Sequence, residues 1–539
     1  MRKTLVGFPV LLTLLVGCLR LTPGTGAPQS PRVLPGVVRI GIFEEPDVLN
    51  PILSQMTFSG DVFQLVFDGL VRFDDRGRAV PDLAREVPSL ENGGISADGR
   101  TLTYHLMPGA RWHDGLPVTA RDVIFTWHAI MNPANDVPLR EGFERIVAMD
   151  APDPLTVRVH LARPYPPAVF LFASILPEHL LGKLSDLNRA TFNAHPVGSG
   201  PYVFAGWIRG SELTFRANPR YFRGEPTIHT VIVKVVTNQN TLLQQLRTRE
   251  IDVDLKVPAQ LVRQIGALPG IRIRSSSTLH WEHLNFNTGK APLDDVNVRR
   301  ALCMAIDERA IFRDFYYGYG TMAPTHFNPD FGWGDPSVRY LRYDPVAAGA
   351  ALDTDGWLLA SDGFRYKRGT RFAFDLSTIA GVKTREAIEV FLQSAWRGLG
   401  ADVSIRNYQA ATFFAPRSAG GLLASGKSDV SIFTWENTNP DPNDQAYVTT
   451  SALPPNGQNY SFYKNPQLDT LERRALTTLD GAKRHELYRE IDRILIRDVP
   501  EYVLDWQPEI VAFDARLHGV RPVPIGSDLW NLADWSYVP

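Results

Sequence analysis

Between Val231 and Leu255 the chain runs through a β-branched stretch, VIVKVV, an amphipathic stretch with Leu242, Leu243 and Leu246 on one face, and a second apolar stretch, IDVDL. Strand, helix and strand in that order predict an α/β architecture, because the helical stripe has to be buried against a sheet. The alternation extends in both directions without a detectable repeat. Val38–Ile42 reads as a first strand, Thr101 to Met107 alternates with Leu102, Tyr104 and Leu106 on one face, and Val157, Val159 and Leu161 mark another strand. Thr119 reads as the N-cap of a helix whose stripe is Val123, Trp127, Ile130 and Met131. Ile388, Leu392, Trp396 and Leu399 share a helical face that Gly400 ends before the strand Val403-Ser404-Ile405. A last long helix through Leu487, Ile491, Ile494 and Leu495 precedes Tyr502-Val503-Leu504. At 539 residues the chain exceeds what one core can fill.

The amino terminus bears on location. Arg2 and Lys3 precede an apolar run from Leu5 to Val16, too short to span a bilayer and typical of a secretory signal. It ends in Leu15-Val16-Gly17-Cys18, which resembles a bacterial lipobox, so residues 1–18 are expected to be a lipoprotein signal with Cys18 lipidated. A plain cleaved signal with an incidental Cys is the alternative. Residues 19–36 are rich in Pro, Gly, Ser and Thr and read as a flexible tether. The mature protein is thus expected to be lipid-anchored, in a periplasm or at a cell surface. The other cysteine, Cys303, falls in an apolar helical pattern and is expected to be a buried thiol. A formal charge of -2 and no basic stripe with interleaved aromatics argue against a nucleic-acid partner.

The segment GLLASGKSDVSIFTW, Gly421 to Trp435, satisfies the phosphate-loop pattern through Gly421, Gly426, Lys427 and Ser428. That loop needs a strand before it and a helix starting at the Lys-Ser. Here a Pro- and Gly-interrupted stretch precedes it, and Asp429 to Phe433 alternates with the period of a strand, so the glycines read as a turn entering a strand. There is no G-x-S-x-G or H-E-x-x-H, and the 12 His lack paired ligand spacing, so no catalytic residue, cofactor or metal is expected. A secreted ATPase or hydrolase using Lys427 or a carboxylate pair is the enzyme alternative.

Four segments carry a resemblance. ADGRTLTYHLMPGARWHDGLPVTARDVIFTW, Ala97 to Trp127, orders a DG, an alternating strand, a W-x-D-G turn and a P-x-T-A-x-D-V helix start. VGSGPYVF with RANPRYF, LNFNT at Leu284 to Thr288, and DDVNVRRALCMAID at Asp294 to Asp307 follow. Together they resemble the family 5 bacterial extracellular solute-binding proteins, the oligopeptide, dipeptide and nickel type that feed ABC importers. Within them Gly115 and Gly200 suit tight turns, Trp112 a core anchor, and Arg299 and Asp307 local hydrogen bonds.

The resemblance implies a two-lobed, periplasmic-binding-protein-like type II fold with an extra subdomain in the first lobe. Lobe 1 would span residues 37–279, with 80–194 as the extra subdomain and 505–539 as its completion. Lobe 2 would span 280–504, with crossings near His280 to Thr288 and Glu501 to Phe513. Ligand touching both lobes would favour the shut form, which ABC permease subunits read. A monomer that binds di- or oligopeptides is implied, with an oligosaccharide, a metal chelate or a sensing role as alternatives. In peptide-binding relatives a G-x-x-D-v strand leads to a cleft Trp, and three residues later an Asp pairs with the peptide ammonium. Gly426, Asp429 and Trp435 fit, but Thr438 stands where the Asp would be. An ammonium buried without its partner costs ~2–5 kcal/mol, so Asp441 or Glu436 would have to substitute, or the ligand lacks a free amine. The expected cleft contacts are Glu45, Phe58, Trp281, Asn285, Asn287, Trp435, Thr438, Asn439 and Asp441.

Overall fold

The computed structural model describes residues 36–54, 56–436 and 441–538; Cys18 and nearly all of the tether lie outside them. One ten-stranded sheet runs through the molecule. Its strands in chain order are β1 (Val37–Ile42), β2 (Tyr202–Ile208), β3 (Glu212–Ala217), β4 (Thr230–Val235), β5 (Val253–Asp254), β6 (Ile271–Phe286), β7 (Ala373–Ser377), β8 (Asp402–Ile405), β9 (Val430–Glu436) and β10 (Glu501–Asp514). Across the sheet the order is β8-β7-β9-β6-β10-β5-β1-β4-β3-β2. β1 is parallel to both β4 and β5, and the helix Gln239–Thr248 makes the crossover that the opening strand, helix and strand pattern requires.

β6 and β10 are the longest strands and lie antiparallel at the middle of the sheet. The first half of β6 pairs with the last half of β10, which pairs in turn with β5 through Ala512 and Phe513. The last half of β6, His280 to Phe286, pairs with β9. The two strands therefore belong to both lobes. Their register breaks where the lobes meet, between Ser277 and Trp281 and again between Glu282 and His283. Bulges of this kind bend a ladder and free backbone groups to turn.

Each side of the ribbon has its own core. On one, Val38, Ile40, Val231, Val233 and Phe513 are buried with Trp112, Tyr104 and Phe215. On the other, Leu284, Phe286, Leu376, Leu392, Trp396 and Val430 form a separate cluster. Within residues 80–194 the strands Thr101–His105, Ile146–Asp153 and Thr156–Leu161 make a small antiparallel sheet of their own. The helix Ala120–Met131 packs on it, entered through a capping box between Thr119 and Asp122. Cys303 is fully buried in the helix Val296–Met304, and burial pushes its thiol pKa well up. Among the described residues no helix is long and apolar enough to cross a membrane.

Several local expectations hold and one needs correcting. Arg299 donates to the carbonyls of Leu293 at 2.7 Å and Val499 at 2.8 Å, and Asp307 caps the next helix by accepting from Ala310 N–H at 3.0 Å. Gly115 adopts φ +96, as a tight turn demands. Gly200 is needed for a different reason: its backbone passes so close to Val66 that a Cβ would fall 2.7 Å from the Val66 carbonyl carbon. The alternating stretch after Gly426 is the strand β9 as expected, and Val430 to Phe433 are all buried because β9 is interior. Its polar Ser431 is tolerated because Ser377 lies 3.2 Å from it and Ser428 closes the cluster.

Gly198 is more tightly held than Gly200, since its Cβ would meet the Val66 carbonyl oxygen at 1.7 Å. Gly198→Ala should therefore destabilise by about 1–3 kcal/mol through overpacking. Gly206→Ala, which meets nothing within 4 Å, should change little. Urea midpoints of the two variants check the contrast.

Candidate functional site between the lobes

The segments that follow β1 and β5 leave the C-terminal ends of two parallel strands, the usual place for a ligand in an open α/β sheet. After β1, Glu45 accepts from the Trp207 indole N–H at 2.9 Å and from the Gly210 N–H at 2.8 Å, so its carboxylate braces the β2–β3 hairpin. Phe58 is buried edge-on against Phe43, with ring centroids 4.8 Å apart. Directly after β5, Lys256 takes up φ +56 and turns its ammonium into a nest of acids. Nζ lies 3.1 Å from Glu509, 3.5 Å from Asp61 and 3.8 Å from Asp528. Burial works against the Lys256 charge, but the three carboxylates outweigh it and hold its pKa above the usual range. Burial in turn raises the pKa of Asp61 and Asp528, with Lys256 pulling each back.

A separate buried cluster is aromatic. Trp435, near the end of β9, stacks with Tyr447, at 4.3 Å, and with Tyr460, at 5.7 Å. Trp281 and Trp506 meet across the β6–β10 pair at 5.1 Å, and both are fully buried. Behind Trp435, His283 and His326 face Glu501 at 4.0 and 3.7 Å. Burial pushes Glu501 up to about 8 and His326 down to about 4, so near neutral pH this group is uncharged.

At the crossing itself Glu282 receives hydrogen bonds from Arg385, from Thr434 at 2.6 Å and from Gln507 at 3.0 Å, tying β6, β9 and β10 to the helix Lys383–Gly398. Its register partner Asp505 is fully buried beneath Gly320, where a Cβ would fall 2.5 Å from the carboxyl oxygens. Burial first, and then the Glu282 charge, push Asp505 up to about 9.

The expected contacts fall into distinct groups. Trp281 and Trp435 come together in one buried aromatic cluster, and Phe58 is buried elsewhere, with Lys256 5.8 Å from its ring centre. Asn285 donates to the Tyr460 carbonyl at 3.3 Å, and Asn287 to those of Gly426 and Ser428 at 3.1 and 2.9 Å, so both fasten the end of β6. Asp441 is buried and accepts twice from Arg484, at 2.8 Å each, so its charge is already matched within lobe 2. That corrects the idea of Asp441 as a ready counter-charge for an ammonium. Thr438 and Asn439 lie outside the described residues. The phosphate-loop match enters β9 with no helix at Lys427, whose ammonium donates to the Gly420 carbonyl at 3.1 Å. Among the described residues no cluster of His, Cys, Asp or Glu is arranged to hold a metal. Tyr447, Tyr460, Lys256 and its acids were not foreseen, since each is brought in from a segment with no distinctive spacing.

Asp505 yields a pH dependence with a definite sign. Between its ordinary value and about 9 the folded chain keeps a proton that the unfolded chain has lost, so raising the pH from 5 to 8 erodes stability. One such group contributes a slope of about 1.4 kcal/mol per pH unit. Asp505→Asn should flatten the loss, read as urea midpoints at pH 5, 6, 7 and 8; an unchanged slope would contradict the buried neutral carboxyl.

Comparison with known proteins agrees with this geometry. Residues 78–456 match the family described as bacterial extracellular solute-binding proteins, family 5 Middle. Protein XP55 of Streptomyces lividans is 30% identical over 481 residues, covering 88% of this chain and 83% of that protein. The oligopeptide-binding protein AppA of Bacillus subtilis is 26% identical over 513 residues, 93% of this chain and 91% of its own. The crystal structure of AppA with a nonapeptide superposes with a TM-score of 0.74 at 25% identity, covering 94% of this chain and 100% of AppA. NikZ of Campylobacter jejuni in complex with Ni(L-His) gives 0.77 at 25% identity over the same shares. A sheet shared by two lobes through one central ribbon, together with a family match over most of its length, places this chain among the family 5 bacterial extracellular solute-binding proteins.

Proposed function

We propose that this protein is the substrate-binding component of an ABC importer that captures di- or oligopeptides between its lobes and delivers them to a membrane permease without transforming them. The observation that carries this reading is the β6–β10 ribbon, whose register breaks at the lobe junction and whose two ends are built into separate cores. A ligand touching both lobes together favours the closed arrangement over the open one. The lobes are then 37–279 with 505–539, and 280–504, with 80–194 as the added subdomain. The lipobox-like Leu15 to Cys18 supports a lipid anchor at Cys18 followed by a tether, in a periplasm or at a cell surface, and the chain acts as a monomer. The relatives named oligopeptide-binding support peptide as the solute. A non-peptide solute, an oligosaccharide or a metal chelate, is favoured by one feature: Thr438 replaces the expected Asp while Asp441 is held by Arg484.

Tyr447 is half buried and stacks on Trp435, with ring centroids 4.3 Å apart. Tyr447→Ala should weaken binding of a mixed tetra- to nonapeptide pool by about 2 kcal/mol, roughly thirtyfold, as for a truncated aromatic anchor. Small-angle scattering of the unaltered chain should show compaction when the same pool is added; a profile that does not change rejects closure on peptide.

A further inference from the structure

A strap of chain bridges the lobe junction beside the β6–β10 ribbon. It leaves the helix Glu308–Asp314, where Ile311 and Tyr316 are buried in the lobe 2 core with Leu376 and Trp396, and Phe315 stands edge-on to Phe391 at 5.7 Å. Only three residues after Tyr316, Tyr319 packs against a different cluster, built by Leu242, Ile265, Ile510 and Ala512 on the lobe 1 side. The chain then turns back onto the ribbon. Thr321 N–H donates to the Trp506 carbonyl at 2.9 Å, and the Thr321 carbonyl accepts from Trp506 N–H at 3.0 Å. Farther along, the Trp506 indole N–H donates to the Thr325 carbonyl at 3.2 Å, and Asn328 donates to the Ser277 hydroxyl at 2.8 Å, at the edge of the first register break.

The strap is firmly held at its two ends and by a ring in between. Gly318 and Tyr319 donate their N–H groups backwards, to the carbonyls of Phe312 at 3.0 Å and Tyr316 at 2.9 Å. Among the described residues the Tyr319 hydroxyl has no hydrogen-bond partner, so its hold on lobe 1 is the apolar packing of the half-buried ring. Tyr317, Gly318 and Gly320 have φ of +57, +76 and +110, a left-handed path that turns the Tyr319 ring out to lobe 1 and brings the chain straight back. At Gly318 a Cβ would meet nothing within 4 Å, so the glycine is there for its backbone and not for space. Tyr317, by contrast, is 53% exposed.

We propose that Tyr319 is a latch on the hinge: seated in the lobe 1 cluster from a strap rooted in the lobe 2 core, it holds the ligand-free lobes together and leaves its seat when the ribbon bends. Ile510 and Ala512 lie on the lobe 1 side of both register breaks, and Tyr316 lies in the lobe 2 core, so bending there moves the seat relative to the root. Three residues span at most ~11 Å, so the ring cannot stay on lobe 1 through a wide rotation. Gly318 and Gly320 on either side of Tyr319 absorb the change in backbone angles when it leaves. The contact carries no charge, so the latch answers to packing alone. This rests on the reading that the lobes move about the ribbon, and is independent of which solute they enclose.

Amide hydrogen exchange and small-angle scattering of the full chain without ligand test the latch, with the variants Tyr319→Ala, Tyr319→Phe and Tyr317→Ala. Tyr319→Ala should speed exchange at the Thr321 and Trp506 amides at least tenfold, because the strap lifts from the ribbon. It should also raise the radius of gyration, because a contact between the lobes is lost. Tyr319→Phe should match the unaltered chain in both measurements, since the ring and not the hydroxyl makes the contact. Tyr317→Ala should change neither. Unaltered exchange through the helix Val296–Met304 shows that the lobe 2 core of each variant is intact. Faster exchange at Thr321 and Trp506 with an unchanged radius of gyration reduces Tyr319 to local packing and overturns the latch, as does no change in either measurement, or the same changes in Tyr317→Ala. Because no ligand is added, the latch is decided separately from whether the unaltered chain compacts on the peptide pool.

Discussion

Everything in this molecule hangs on the pairing of β6 with β10. Backbone hydrogen bonds run along nearly the whole ribbon, so each end is as rigid as the sheet it joins. The slipped register at the lobe junction is the one stretch of that ribbon where the ladder is interrupted, and there the chain can change direction without tearing a core. Trp281 and Trp506 are paired at this point, and the Glu282 network sits beside them. Large rings and a charge-assisted network on either flank confine any bending to a few residues.

The site is costly to build and yet neatly compensated. Lys256 answers three carboxylates after β5, Arg385 answers Glu282 at the crossing, and Arg484 answers Asp441 within lobe 2. Where no cation is at hand, as at Glu501 and Asp505, burial keeps the acid protonated near neutral pH instead. These buried charges are thus either matched by a cation or held neutral.

Much of the fold was legible in the sequence because it follows from local periodicity. The helix stripe of Ile388, Leu392 and Trp396, the capping box at Thr119 and the strand from Val231 are all patterns of burial within one element. The resemblance added the order of the segments and so the two lobes. Gly200 was misread because a close approach to Val66 is a contact between segments, invisible to turn chemistry. The site was harder for the same reason. Trp435 was reachable through a motif, but Tyr447 and Tyr460 stack on it from a loop without periodicity, and Lys256 joins Asp61 and Asp528 across long sequence separations. Asp441 looked available because its partner Arg484 is 43 residues away, on the helix Gly481–Asp498.

Cys303 has a practical consequence. Its thiol is sealed in a helix of the lobe 2 core and held in the unreactive protonated form, so it will not compete for maleimide reagents in the native state. In a variant lacking Cys18, the other cysteine of the sequence, single cysteines placed on opposite outer faces would accept fluorophores or spin labels with no background, and the distance between the halves could be followed while the molecule works.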